Sequence, residues 1–159
     1  MGFMRAHDGD INESKCPFPK GIKAVAQDQE IAGKLYVGTK EGIQIIQVES
    51  VDKNKLTCED HGFIPVKGFD PIKMENFKDY LISFNSNYGQ DGEFMVFNLT
   101  EARRSGGDSF SLVPQSTFTI ENFQPTNETV LPSYDLIKKP SGYDMVIQVP
   151  GTKDQVLHF

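Results

Sequence analysis

From Gly33 onward, short apolar runs alternate with clusters of turn-forming residues. Leu35-Tyr36-Val37 is followed by Thr39-Lys40-Glu41-Gly42 and then by Ile43-Gln44-Ile45-Ile46-Gln47-Val48, a run in which β-branched residues dominate. This order predicts a hairpin, and a further strand over Leu56 to Phe63 follows the turn at Asp52-Lys53-Asn54-Lys55. A second unit opens at Phe69-Asp70-Pro71-Ile72, continues through Tyr80-Leu81-Ile82-Ser83-Phe84 and crosses a Gly/Asn-rich turn into Glu93 to Leu99. A polar loop, Glu101 to Asp108, leads to predicted strands at Phe110 to Val113 and Ser116 to Ile120. A third unit comprises Asp135-Leu136-Ile137, Tyr143 to Val149 and Gln155 to Phe159. No helix is predicted, and Lys73 to Tyr80 reads as a loop. Leu35, Val37, Ile43, Ile45, Leu81, Phe94, Val96, Leu112, Met145 and Ile147 are the expected core.

The recurrence of Tyr36 as Tyr80 and of Ile43 as Phe94 spans roughly 45 to 50 residues, the length of a four-stranded propeller blade. The expected fold is therefore all-β, with about two and a half propeller-like units; a β-sandwich or a lipocalin-like barrel is the alternative. The missing Trp counts against a lipocalin. Such an arc exposes its end faces and strand edges, so a second copy, a different protein chain or the rest of a divided propeller is expected to cover them.

Composition narrows the class. The 159 residues are 38% hydrophobic and 24% charged, enough apolar matter for one packed domain. Residues 1–20 are polar and acidic and read as a flexible arm, with the β domain at 21–159. A net charge of -6 excludes nucleic acid as an expected partner. The basic pairs Arg103-Arg104 and Lys138-Lys139 read as solvated turn residues. No apolar run reaches the ~20 residues of a membrane span, and the first residues lack a signal-peptide core. Cys16 and Cys58 lack metal-ligand spacing, which leaves either one disulfide or two buried thiols. The sequons Asn98-Leu99-Thr100 and Asn127-Glu128-Thr129 lean towards a secreted or extracellular history.

Few residues point to chemistry. Phosphate-binding loops, the GxSxG elbow and HExxH are all missing. Asp8 and Asp10 lack the further oxygen ligands of a calcium loop. His7, His61 and His158 have no partner at metal-binding spacing and read as surface histidines. Glu59-Asp60-His61 is the densest acid/base group, suited to a cation or a proton transfer, and equally to an exposed turn.

A further set of segments runs in a familiar order: Lys20-Gly21-Ile22, Gln27-Asp28-Gln29-Glu30-Ile31, Gly33-Lys34-Leu35-Tyr36-Val37, Phe63-Ile64-Pro65, Tyr80-Leu81-Ile82-Ser83-Phe84-Asn85 and Glu93-Phe94-Met95-Val96-Phe97. From about Cys16 to Phe97 the chain resembles the first half of the paraoxonase/arylesterase family, six-bladed propellers with a central calcium that hydrolyse lactones and esters. The resemblance implies one calcium ligand, Asp28, because Gln27 stands where the family has an acid. Pro65-Val66-Lys67-Gly68-Phe69 and Asn85-Ser86 stand where the family carries its histidines. Without a general base and with a thinned cation site, the expected function is a non-catalytic binding or assembly module. A calcium-dependent ester or lactone hydrolase and a carrier of a small apolar ligand are the alternatives.

Overall fold

The structure, a computed structural model, describes residues 16–52, 55–85, 92–104, 116–119, 132–148 and 153–159. Strands β1 (Ala24–Gln27), β2 (Lys34–Thr39), β3 (Gly42–Asp52) and β4 (Lys55–Pro65) form sheet A in chain order. Strands β5 (Pro71–Phe77), β6 (Tyr80–Asn85), β7 (Glu93–Asn98) and β8 (Ser116–Thr119) form sheet B, with a helical turn α1 (Thr100–Arg104) between the last two. Strands β9 (Ser133–Lys139), β10 (Gly142–Gln148) and β11 (Gln155–His158) make the three-stranded sheet C. All neighbouring strands are antiparallel. The all-β architecture expected from the sequence is thus present as two four-stranded units and a three-stranded one, and no sheet closes into a barrel.

Sheet B lies between the other two. One of its faces contributes Met74, Leu81, Met95 and Phe97 to a core shared with Tyr36, Ile43, Ile45 and Ile64 of sheet A. Its other face sets Ile82, Phe84, Phe94 and Val96 against Met145, Ile147 and Phe159 beside sheet C. Alternation explains both, since successive residues of a strand face opposite sides and a strand buried on both sides reads as continuously apolar. Leu81 to Phe84 and Phe94 to Phe97 are such runs.

Three local expectations are corrected. Ala24–Gln27 was not expected to be a strand, because alanine favours β structure weakly; it forms by pairing with Leu35 to Gly38 and packing on β5. The loop expected over Lys73 to Tyr80 is largely strand β5. Its polar look comes from one face only, where Lys73 and Glu75 form a 2.9 Å ion pair, while Met74 and Asn76 are buried. The start of the Glu101–Asp108 loop is helical through Arg104, with Ala102 buried in the core between sheets A and B. Leu35 is only partly buried. Leu112, the Phe110–Val113 run and the sequon at Asn127 lie outside the described residues.

The middle of the outer face of sheet A is covered, while Val25 on edge strand β1 stays exposed. Cys16, Phe18 and Ile22 pack on Val37, Ile46 and Cys58, and a Cys16–Cys58 disulfide fixes them there. Residues from Cys16 to Lys20, expected as part of the arm, therefore start against the sheet. The tight β2–β3 turn needs glycine at position 42: its φ is +152° and a Cβ would strike the Ile64 carbonyl oxygen.

Candidate functional site

Two features stand out: a buried charge cluster between sheets A and B, and the outward face of sheet C. The cluster begins in the β1–β2 loop. The Asp28 Oδ1 atom accepts hydrogen bonds from the Glu30 and Ile31 amides at 2.8 and 2.9 Å, the local turn that a short carboxylate side chain favours. The Tyr36 hydroxyl donates to Oδ2 at 2.6 Å. From the other sheet, α1 follows β7 and directs Arg103 back at this loop. Arg103 Nε donates to Asp28 Oδ2 at 2.9 Å and Nη2 to Oδ1 at 3.2 Å, a two-pronged geometry only arginine offers. Nη1 also reaches Glu30 at 3.1 Å and Asp79 at 2.7 Å. Asn76 adds a second tie across the sheets, accepting from the Gln29 amide at 2.7 Å while donating to the Lys78 and Tyr80 carbonyls.

Burial raises the cost of ionising Asp28, but the bonds from Arg103, Tyr36 and the two amides outweigh it and hold the carboxyl below its ordinary value. Burial, with the Asp28 charge, pushes the Tyr36 phenol up. Lys34, also buried, is pushed down by desolvation and by Arg103, against the pull of Asp28. Asp28, expected as a calcium ligand, thus faces a cation belonging to the chain itself, and a metal ion at this carboxylate would have to displace Arg103. Arg103 was read as a solvated turn residue; its side chain is 11% exposed.

The other sequence candidates are dispersed. Asp60 turns to Gln44 and the Gly62 amide, away from Glu59. A bulge in the β3–β4 pairing at Val48/Ser50 brings Glu49 beside Glu59 and His61, with one ligand atom from each within 4.8 Å of the others. Glu49 shares a hydrogen bond with Glu59, which pushes its carboxyl up, and both carboxylates are exposed. Val66 is packed in the core. Asn85 is buried and accepts from the Ser83 hydroxyl at 2.9 Å. His7 and Ser86 lie outside the described residues.

Sheet C is apolar on its inner side and mixed on its outward one. Tyr134, Leu136, Tyr143, Met145, Ile147 and Leu157 face sheet B. Strand pairing places Ile137 opposite Asp144, Asp144 opposite His158, and Val146 between Asp135 and Val156, so these residues share the outward face. On it Ile137 is 46% and Val156 55% exposed. Asp135 and Asp144 stand there with Lys139 and His158, so acidic and basic groups are both present. A cleft of about 280 Å³ also opens between sheets B and C, lined by Lys73, Glu75, Phe84, Phe94, Pro132 and Tyr134 among others. It lies just under the roughly 300–1,000 Å³ of pockets that enclose small ligands.

Among the described residues, no helix is long and apolar enough to cross a membrane. No protein-family model matches the chain, and no curated protein is significantly similar to it.

Proposed function

We propose that the chain is a propeller-like assembly module that pairs with a second copy of itself through the outward face of sheet C. The observation that carries this reading is the difference between the two ends of the stack. Sheet A has the middle of its outer face covered by the disulfide-fixed segment, leaving Val25 on edge strand β1 exposed, whereas the described residues put no such segment over sheet C and leave both Ile137 and Val156 in solvent. A sheet face with apolar residues in adjacent rows gains by burial against another. The choice of a second copy rests on charge. The chain carries a net charge of -6, which opposes association of most surface patches, but this face holds Asp135 and Asp144 together with Lys139 and His158. Turned through a two-fold axis, it sets acids against bases. The disulfide fits an oxidising compartment, in keeping with a secreted module.

Light scattering across a concentration series tests the pairing. The expected result is a mass approaching twice the monomer as concentration rises, with Val156→Lys and Ile137→Lys each holding the chain monomeric without altering its strand spectrum. A wild-type chain that stays monomeric throughout, or a dimer that survives both substitutions, overturns it.

A further inference from the structure

At the turn end of sheet C, three side chains from two strands and a hairpin line up in an order that has chemical meaning. Ser141 lies in the β9–β10 turn, Asp144 two residues into β10, and His158 at the end of β11, where pairing sets it opposite Asp144. His158 Nδ1 is 2.6 Å from Asp144 Oδ1, and its other nitrogen, Nε2, is 3.4 Å from Ser141 Oγ. An ionised carboxylate only accepts, so the short contact requires the proton on Nδ1. Nε2 then carries the lone pair, and the serine hydroxyl is the group that points at it. This is a nucleophile, a base and a group that orients the base, connected in the sense that acyl transfer needs. The 3.4 Å contact is long, as such contacts often are before substrate binds.

We propose that Ser141 is a reactive nucleophile, activated by His158, that accepts acyl groups from small esters with an apolar acyl chain. The apolar part has a place to lie, because Val156 and Val146 occupy the next row of the same face and Val156 is more than half exposed. In the forward step Ser141 Oγ bonds to the ester carbonyl carbon as Nε2 takes the hydroxyl proton. The carbon–oxygen bond to the alcohol then breaks, and the alcohol leaves with that proton, so Ser141 is acylated and His158 neutral again. Water, giving its proton to the same nitrogen, attacks the acyl-serine; the bond to Oγ breaks, the acid departs and the serine recovers its proton. Asp144 is a positioning residue. Its second oxygen is 3.8 Å from Lys139 Nζ.

The inference is independent of self-association. If a second copy covers this face, the serine is shut off in the pair and reactive in the monomer, so Ile137→Lys is a second background in which to measure it.

Diisopropyl fluorophosphate, followed by intact mass and peptide mapping, is the test. One adduct on Ser141 is expected in dilute wild type and in Ile137→Lys, none in Ser141→Ala, and a rate lower by about 100-fold in His158→Gln. Asp144→Asn should slow labelling and Asp144→Glu recover part of the rate, which loss of a merely structural contact would not do. Unchanged melting of the variants excludes unfolding as the cause. Labelling of Ser141 that is as fast in His158→Gln as in wild type, or no adduct on Ser141 in dilute wild type and Ile137→Lys, overturns the assignment. Light scattering reports the pairing separately, so the two readings fail apart.

Discussion

Replacing Arg103 by alanine removes a charged side chain that bonds simultaneously to the β1–β2 loop of sheet A and the β5–β6 turn of sheet B. Asp28 then keeps the Tyr36 hydroxyl and two amides but loses its counter-charge, and its side chain is fully shielded from water. Removing one partner of a buried ion pair costs roughly 3–5 kcal/mol, because the remaining charge stays desolvated. In a chain of this size that is a fall in melting temperature of about 6–20 °C. Urea unfolding followed by far-UV circular dichroism measures it, with Arg103→Lys intermediate because lysine keeps the charge without the fork. The double variant Arg103→Met with Asp28→Asn removes both charges and should recover much of the loss. If Arg103→Ala costs under about 1 kcal/mol, the pair is solvated and behaves as a surface salt bridge. If the double variant is no better than the single, the cost lies in lost packing.

The depressed Asp28 carboxyl makes stability pH-dependent with a fixed sign. Folding favours its ionised form, so the contribution is complete above the unfolded value near about 4 and is lost as pH falls through the lower native value. Acid titration of wild type against Asp28→Asn should show the steeper loss in wild type below that point, and parallel curves would refute it. Reduction of the Cys16–Cys58 bond, or the paired serine substitution, releases a closure across 42 positions. Chain entropy predicts a loss of about 4 kcal/mol; a reduced protein that unfolds at the same urea concentration as the oxidised one would show that the closure does not contribute.

Strands with a clean apolar pattern were legible from the sequence alone, because Ile43 to Val48 and Tyr80 to Phe84 pack on both sides and are apolar at most positions. Strand β5 was not, because only its alternate residues, Met74 and Asn76, are buried, and Lys73 and Glu75 dominate the local composition. Arg103 illustrates a different gap. A side chain's burial there depends on a partner far along the chain, Asp28, and no local pattern around Arg103-Arg104 distinguishes a clasp from a solvated pair. The same holds for Ser141 and His158, which adjacent strands bring together; only the register of β10 against β11 places them, and register is a property of the folded sheet.

The two kinds of contact in the stack have different consequences for assembly. Apolar burial between sheets is non-directional and sets no lateral position, whereas the forked Arg103–Asp28 bond exists at one alignment of sheets A and B. Sheet C has no such clasp on its outward face among the described residues, so a second copy meets a surface with apolar rows and mixed charge but no prescribed donor. Head-to-tail growth would need the outer face of sheet A, which Cys16, Phe18 and Ile22 already occupy. A contact of the outward face of sheet C with the same face of another copy uses up both surfaces at once. In the proposed pairing, association through sheet C closes at two chains rather than propagating into a fibre, and breaking the Cys16–Cys58 bond would free the segment that covers the middle of sheet A's outer face.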